Sequence, residues 1–276
     1  MEKPHNIASH AVCTYLENLE LLMGTFTTHN FKPHFHESYT VILIDKGIGD
    51  YSNSNSNLVL SSGSILVFNP YEVHTGKAVG TSPWSFLTMY IPVEIMKKAL
   101  VNIDFKDNKP PYFSQNIIEN KILYDIAKFA FYSLLDKNKD SYNHDNLIKF
   151  LELLVKEYGT VYEKNITAMP YKYKVANEIR KHIHKNYLND VSLEYLSSIT
   201  GLKRDGVIKT FKQYYDLPPR QYILNLRIEK AKKLLLKKIS STEVAHETGF
   251  FDQSHFIKNF KKVIGVTPKK YASIVI

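Results

Sequence analysis

The chain has 276 residues, 44% of them hydrophobic and 13% aromatic, with 36 Lys and Arg against 27 Asp and Glu and a single cysteine. That composition excludes disorder and supports one large core or two ordinary ones; one cysteine excludes an intramolecular disulfide and leaves a cysteine-based zinc site without support. No stretch approaches the ~18 apolar residues that span a bilayer, and the first twenty residues lack a signal-peptide core, so no membrane partner is expected and the cytoplasm is.

The net charge of +9 is unevenly placed. Residues 1–165 carry 15 basic and 18 acidic side chains, net −3, and residues 166–276 carry 21 and 9, net +12. A small module with that excess repels itself unless a polyanion is at hand, which points to a phosphate backbone. The plain alternative is a solvated lysine-rich surface, since only four of the 36 basic residues are Arg. The change of sign falls near EKNITAMPYKYK (163–174), a polar stretch with a proline. The expected division is therefore a first domain over 1–162, a linker over 163–174 and a second domain over 175–276.

In chain order, β-rich runs at 39–44, 58–60, 65–68 and 86–91 are separated by DKGIGD, SNSNSN, SSG and NPYE. Turn residues between short apolar runs predict a small antiparallel barrel. After Pro92 the spacing becomes helical. Ile118, Ile122, Ile126, Phe129 and Leu134 share a broad face within 117–135, and Leu147, Phe150, Leu151, Leu154 and Tyr158 follow. Such a pair covers its apolar surface on its own barrel or against a second copy; the second arrangement makes a homodimer.

Three histidines of the barrel can share a site: His34 and His36 in HFHE, and His74 in NPYEVH. Residues two apart on a strand face the same way, so HxH offers two imidazoles to one pocket. The run resembles metal-binding cupins, which add a glutamate a few residues later; here Thr40 and Val41 hold those places, and Glu37 points away from His36. A hydrogen-bonding pocket for a small-molecule effector is therefore preferred to a metal site, with His34, His36 and His74 as polar groups and Tyr39, Tyr51, Trp84 and Tyr90 as walls. Histidines simply satisfied at a strand edge are the structural alternative. No Walker loop, dinucleotide fingerprint, G-x-S-x-G or HExxH is present, so neither a catalytic site nor a cofactor is expected.

The second half repeats itself. SLEYLSSITGLKRDGVIKTFKQYYDLPPRQY (192–222) and SSTEVAHETGFFDQSHFIKNFKKVIGVTPKKY (240–271) align Gly201 with Gly249, Phe211 with Phe260, Pro219 with Pro268 and Tyr222 with Tyr271. Ser192 is placed to cap a short helix, with Leu193, Leu196 and Ile199 as its buried stripe. Gly201 permits the positive φ of a tight turn, and Val207 and Phe211 face inward from the next helix. In the second unit Val244, Ala245, Phe250, Phe256 and Phe260 take the inward places.

GFFDQSHFIKNFKKVIGVTPKKY resembles the signature of the AraC/XylS family of bacterial transcription regulators, and YILNLRIEKAKKLL is similar to the helix joining that family's two helix-turn-helix units. HFHE and PYEVH are similar to the sensor domain of its arabinose-responsive branch. The resemblance implies a two-domain fold, a cupin-like N-terminal β-barrel with appended helices and a C-terminal all-α double helix-turn-helix. It also implies a regulator of transcription, an activator by the habit of most relatives, that binds double-stranded DNA and, as an activator, RNA polymerase. By family position Asp205, Lys209, Gln253, Ser254 and Lys258 read bases, while Arg204, Lys212, Lys261, Lys262 and Lys269 fall to phosphates. Two positions depart from the pattern: Asp216 stands where glycine is usual, and Gly206 lies inside the first recognition helix. The rival readings are a metal-dependent cupin enzyme fused to a DNA-binding module, and a regulator whose barrel only dimerises.

Overall fold

A computed structural model describes residues 6–53, 57–103, 105, 109–136, 140–161 and 169–273. The chain divides into two compact units, one of strands with three helices and one that is helical apart from the strand residues Lys32–His34.

In the first unit, one antiparallel sheet has the spatial order β1 (Asn6–Cys13), β2 (Leu19–Phe26), β9 (Trp84–Ile91), β4 (Tyr39–Lys46), β7 (Ile65–Phe68), β10 (Ile117–Ile118). The other has the order β3 (Asn30–His34), β8 (His74–Ala78), β5 (Ile48–Ser52), β6 (Asn57–Ser61). The expected barrel is thus not closed. Closure requires ladder hydrogen bonds at every seam, whereas β1 and β10 edge the larger sheet and β3 and β6 the smaller.

Register fixes what each face of the larger sheet meets. Tyr39, Val41 and Leu43 pair with Ile91, Met89 and Leu87, and all six belong to a core shared with α1 (Val93–Leu100), α2 (Lys121–Leu135) and α3 (Asp140–Tyr158). Because side chains alternate, the partners Thr40–Tyr90, Ile42–Thr88 and Ile44–Phe86 point to the opposite face. There Trp84 and Phe86 pack with Phe26 and, from the second sheet, with Phe31 and Tyr51, the Tyr51 ring meeting Trp84 edge-on at 5.3 Å. The TVILI run of β4 is buried on both faces, which is why it reads as continuous apolar sequence.

The α2 face differs from the one expected. Residues 117–118 form β10, Asn120 caps the helix by accepting from the Leu123 amide, and Leu123, Ala127, Ala130 and Leu134 are buried. Ile122 and Phe129 stay 74% and 56% exposed. Both faces of this helix are apolar, so spacing alone did not select the buried one.

The second unit begins with α4 (Tyr171–Asn186). Tyr171 to Lys174 thus belong to a helix and not to the expected linker, of which 163–168 lie outside the described residues. Pro170, the helix N-cap with φ −52°, marks a start where the sequence suggested a break. Then follow α5 (Leu193–Thr200), α6 (Arg204–Tyr215), α7 (Pro219–Leu236), α8 (Ser241–Glu247), α9 (Gln253–Ile264) and α10 (Pro268–Tyr271). Among the described residues no helix is long and apolar enough to cross a membrane.

Candidate functional site

Each repeated unit is assembled from local signals. Ser192 accepts a hydrogen bond from the Tyr195 amide at the start of α5, and Gly201 ends it at φ 70°. Of the expected stripe only Leu196 is fully buried; Ile199 is 38% exposed. Positions three apart are 60° short of a full turn, so Leu193 and Ile199 flank Leu196 on opposite sides of a narrow contact. In the second unit Ser240 and Glu243 form a reciprocal capping box on α8, and Asp252 caps α9 by accepting from His255 N. Asp216 takes the left-handed C-cap at φ 61°, the equivalent of Gly265 at φ 87°.

The two second helices hold to their units by matched aromatic contacts. Phe211 meets Tyr222 edge-on at 5.3 Å, and Phe260 meets Tyr271 edge-on at 5.5 Å, with all four rings buried. These inward anchors fix the outward face. Asp205, Lys209 and Lys212 on α6, with Gln253, Ser254, Lys258, Lys261 and Lys262 on α9, are exposed, as is Lys269 on α10. Arg204 is exposed too, but it forms an ion pair with Glu194 of α5.

The joining helix α7 is buried on many sides, including Ile223, Leu226, Ile228 and Leu235, and carries a buried Glu229–Lys232 ion pair. Arg227 extends from it to three carbonyls. Nε donates to Tyr187 O at 2.7 Å, Nη2 to Asn189 O at 2.9 Å and Nη1 to Gly249 O. Tyr187 and Asn189 lie between α4 and α5, and Gly249 is the turn of the second unit, so one guanidinium fastens the α4–α5 connection and the second unit's turn to the rod. Nothing in the sequence beyond an arginine in an apolar helix marked this role.

In the sheet unit His34, His36 and His74 come together, all buried, with ring nitrogens that lie within 4.8 Å of one another. His74 stacks on Phe68 at 4.2 Å, and His36 lies 4.5 Å from the Tyr90 ring. Trp84 and Tyr51 line the same inter-sheet space. Tyr39 does not: it sits in the helix-side core and donates its hydroxyl to Pro111 O at 2.7 Å, because it shares parity with Val41 rather than with Thr40. Thr88, which sequence reasoning missed inside the apolar run WSFLTMYI, points into this space. Its Oγ1 is buried without a hydrogen-bond partner, whereas Trp84 Nε1 and the Tyr51 hydroxyl, buried in the same space, have only each other as a weak contact. Burial raises the Tyr51 pKa well above its ordinary value, so it stays a neutral donor.

A strand-built sensor unit joined to two helix-turn-helix units in one chain defines a ligand-responsive DNA-binding regulator. Residues 18–126 match the AraC-like ligand binding domain, and residues 196–273 match a helix-turn-helix domain family. The chain belongs to the AraC family, whose members regulate transcription by binding DNA. It is 27% identical over 227 residues to the HTH-type transcriptional regulator YbfI of Bacillus subtilis, covering 82% of this chain and 81% of that one. It is 20% identical to the transcriptional activator RhaS of Salmonella schwarzengrund, over 87% and 86% of the two chains. Among solved structures, unsaturated fatty acid-bound ToxT of Vibrio cholerae superposes with a TM-score of 0.57 at 15% identity, covering 99% of this chain and 98% of that one.

Proposed function

We propose that this regulator is a transcription activator whose sheet unit binds a small polar metabolite and whose paired recognition helices read bases. The observation that carries the DNA reading is the repeat itself: two buried aromatic anchors, eleven residues apart in each unit, present exposed polar faces that begin at Asp205 and at Gln253. Asp205, Lys209, Gln253, Ser254 and Lys258 contact base edges in successive major grooves, and Lys212, Lys261, Lys262 and Lys269 contact phosphates. Arg204 joins the phosphate set only by giving up Glu194. Activation follows the name of RhaS, and contact with RNA polymerase follows from activation.

The metabolite reading rests on Thr88 Oγ1, which is buried without a partner, and on Trp84 Nε1 and the Tyr51 hydroxyl, which have only each other, since buried polar groups ordinarily find good partners. A ligand bearing hydroxyl or carboxylate groups supplies it, walled by Phe26, Phe31 and Phe86. The fatty acid of ToxT is a precedent for an effector held in a related chain. The exposed Ile122 and Phe129 of α2, flanking half-buried Ile126, are the surface on which a homodimer forms. The protein acts in the cytoplasm and is not an enzyme.

Lys258→Ala tests the base-reading role: a loss of about 1–3 kcal/mol on the operator, with relaxed discrimination at one base pair, supports it. An equal loss on random DNA overturns it. For the sensor, a metabolite at a hundredfold its dissociation constant adds ~2.7 kcal/mol of stability; silence across a broad panel favours a unit that only dimerises.

A further inference from the structure

We propose that Phe251 reads thymine: its ring lies against the C5-methyl group of a thymine in the major groove that α9 enters. This contact rests on the base-reading role given above to Gln253 and Ser254, and supplies the apolar contact that those two polar side chains do not. Among the described large hydrophobic residues Phe251 is the most open to solvent, at 93%.

The fold has no use for this ring. Phe251 stands immediately before Asp252, the N-cap of α9, where an apolar residue often packs on the fourth residue of the helix. That fourth residue is Phe256, which is buried, and Phe250 has taken the partnership. The Phe250 ring, itself buried, lies 5.2 Å from Phe256 and 5.6 Å from His255. Two consecutive phenylalanines thus divide their roles, the first closing the core and the second left in water, where burial against a partner is favourable.

The ring is presented on a stiff mount. Gly249 O accepts from Arg227 Nη1, Phe250 N donates to Ala245 O at 2.9 Å, and the Asp252 carboxylate accepts from His255 N at 2.6 Å. Bonds on both sides therefore fix the backbone around Phe251 before DNA arrives, so little ordering opposes the contact. Its place is the N-terminal end of a recognition helix, the end that meets base edges in a helix-turn-helix. Exposed Gln253 and Ser254 follow it by two and three residues.

Chemistry names the target. The major groove presents hydrogen-bonding edges, and its apolar group is the thymine methyl. A protein partner would also bury an exposed aromatic, but protein interfaces bury contiguous patches of some 20–30 residues a side. Here Asp252, Gln253, Ser254 and His255, next to the ring in sequence, are all exposed and polar. The two units also differ at this point. Aligning Gly201 with Gly249 puts Lys203 in the place of Phe251, and Lys203 makes no side-chain capping bond to α6. The first recognition helix therefore opens on a cation suited to phosphate, and the second on an apolar group suited to a base.

The test starts from duplexes that the full chain selects out of a random-sequence library. Each thymine of the selected duplex is then replaced by uracil, which deletes the methyl and keeps every hydrogen-bonding group. For the wild type one replacement in the half-site of the second unit weakens binding roughly fourfold, the worth of one buried methyl. Phe251→Ala binds the thymine duplex roughly fourfold more weakly than wild type and no longer distinguishes it from the uracil duplex, while Phe251→Leu keeps the distinction. Both variants melt at the wild-type midpoint; a lowered midpoint makes the ring structural and overturns the assignment. A uracil penalty undiminished in Phe251→Ala, or no penalty at any thymine, also overturns it while leaving base reading by Gln253 intact. Selection of no sequence at all overturns base reading itself, and this contact with it. Unchanged duplex binding with lost activation in Phe251→Ala gives the ring to a protein partner instead.

Discussion

Arg227→Ala removes a side chain that bonds both the α4–α5 connection and the second unit's turn to the joining helix, and its cost can be worked from three acceptors. Asn189 is exposed, so its carbonyl rehydrates when the guanidinium leaves and contributes little. Tyr187 and Gly249 are half-buried and lose charge-assisted bonds worth about 1.5–3 kcal/mol each, giving about 3–6 kcal/mol before the chain relaxes and about 2–4 after partial rehydration. Burial lowers the Arg227 pKa and Asp190 opposes that shift, so the guanidinium remains charged at neutral pH. With a urea dependence of ~1–3 kcal/mol per molar, the midpoint of the helical unit falls by roughly 1–2 M. The only tryptophan, Trp84, lies in the sheet unit. Its fluorescence therefore reports that unit alone, while circular dichroism at 222 nm sums the helices of both units, so the part of its transition that precedes the fluorescence change belongs to α4–α10. The expected outcome is an early helical transition with an unmoved fluorescence transition, and DNA binding that loses its preference for correctly spaced half-sites. An unchanged helical midpoint, or undiminished preference for half-site spacing, refutes the reasoning.

The glycines give a contrast. A Cβ at Gly249 lands 2.5 Å from Leu188 O with φ at 73°, whereas at Gly201, with φ 70°, it meets open space. Gly201→Ala costs about 1–2 kcal/mol of left-handed strain and Gly249→Ala clearly more; equal melting shifts would contradict this. Gly206 has ordinary φ and a Cβ there meets Leu202 Cβ at 3.4 Å, so Gly206→Ala raises stability by up to ~1 kcal/mol, checked by thermal melting. Phe260→Ala costs about 3–5 kcal/mol and unfolds its unit; a folded variant with altered specificity would reassign that residue. Ser240 depresses the Glu243 pKa by hydrogen bonds to the carboxylate. A depressed acid stabilises fully above its unfolded value near 4.5 and loses that contribution as pH falls through the lower folded value. Ser240→Ala should therefore weaken α8 at neutral pH and leave its stability less sensitive to acid between pH 5 and 3 than the wild type's, as followed by circular dichroism.

The helical unit was legible because its signals are local: Ser192, Ser240, Asp252 and Gly265 each fix a helix end through neighbours three or four residues away. The repeat then doubled the evidence. The sheet unit was less legible because strand partners are distant in sequence and because β3 (NFKPH) and β5 (IGDYS) are poor in apolar residues. The hairpin of β1 and β2 went unforeseen, since NIASHAVC buries only part of itself and LELLMGTF carries a glycine beneath the Phe86 ring. Strand parity separated Tyr39 from the histidines and brought Thr88 to them, yet parity depends on register, which turn residues alone did not give. The contact of His74 with HFHE was foreseeable in kind, as histidines on one face, but its rigidity comes from Asn69 and Asn116, which hold the Glu72 carboxylate and which nothing in the sequence linked to it.

The four arginines limit how this protein reads DNA. Bidentate guanidinium contacts to guanine are the commonest specific base contacts, yet three of the four are committed within the chain. Arg180 donates to the Tyr222 hydroxyl at 3.0 Å and lies over the Tyr215 ring, Arg204 pairs with Glu194, and Arg227 binds three carbonyls. Arg220, exposed in the first turn of α7, lines a groove with His255 and Asn259 of α9 and is the one arginine of the four without a partner of this kind among the described residues. On the base-reading set proposed above, discrimination would rest on Gln253, whose amide suits adenine, and on Lys209 and Lys258, which would approach guanine as point charges. Each lysine on phosphate adds about 0.9 to the salt slope of binding, so affinity falls steeply with salt while discrimination does not. Replacing the adenine under Gln253 should cost about 1–3 kcal/mol for the wild type and nothing for Gln253→Ala. A full penalty in that variant would return the adenine to another reader and remove the constraint that the committed arginines impose.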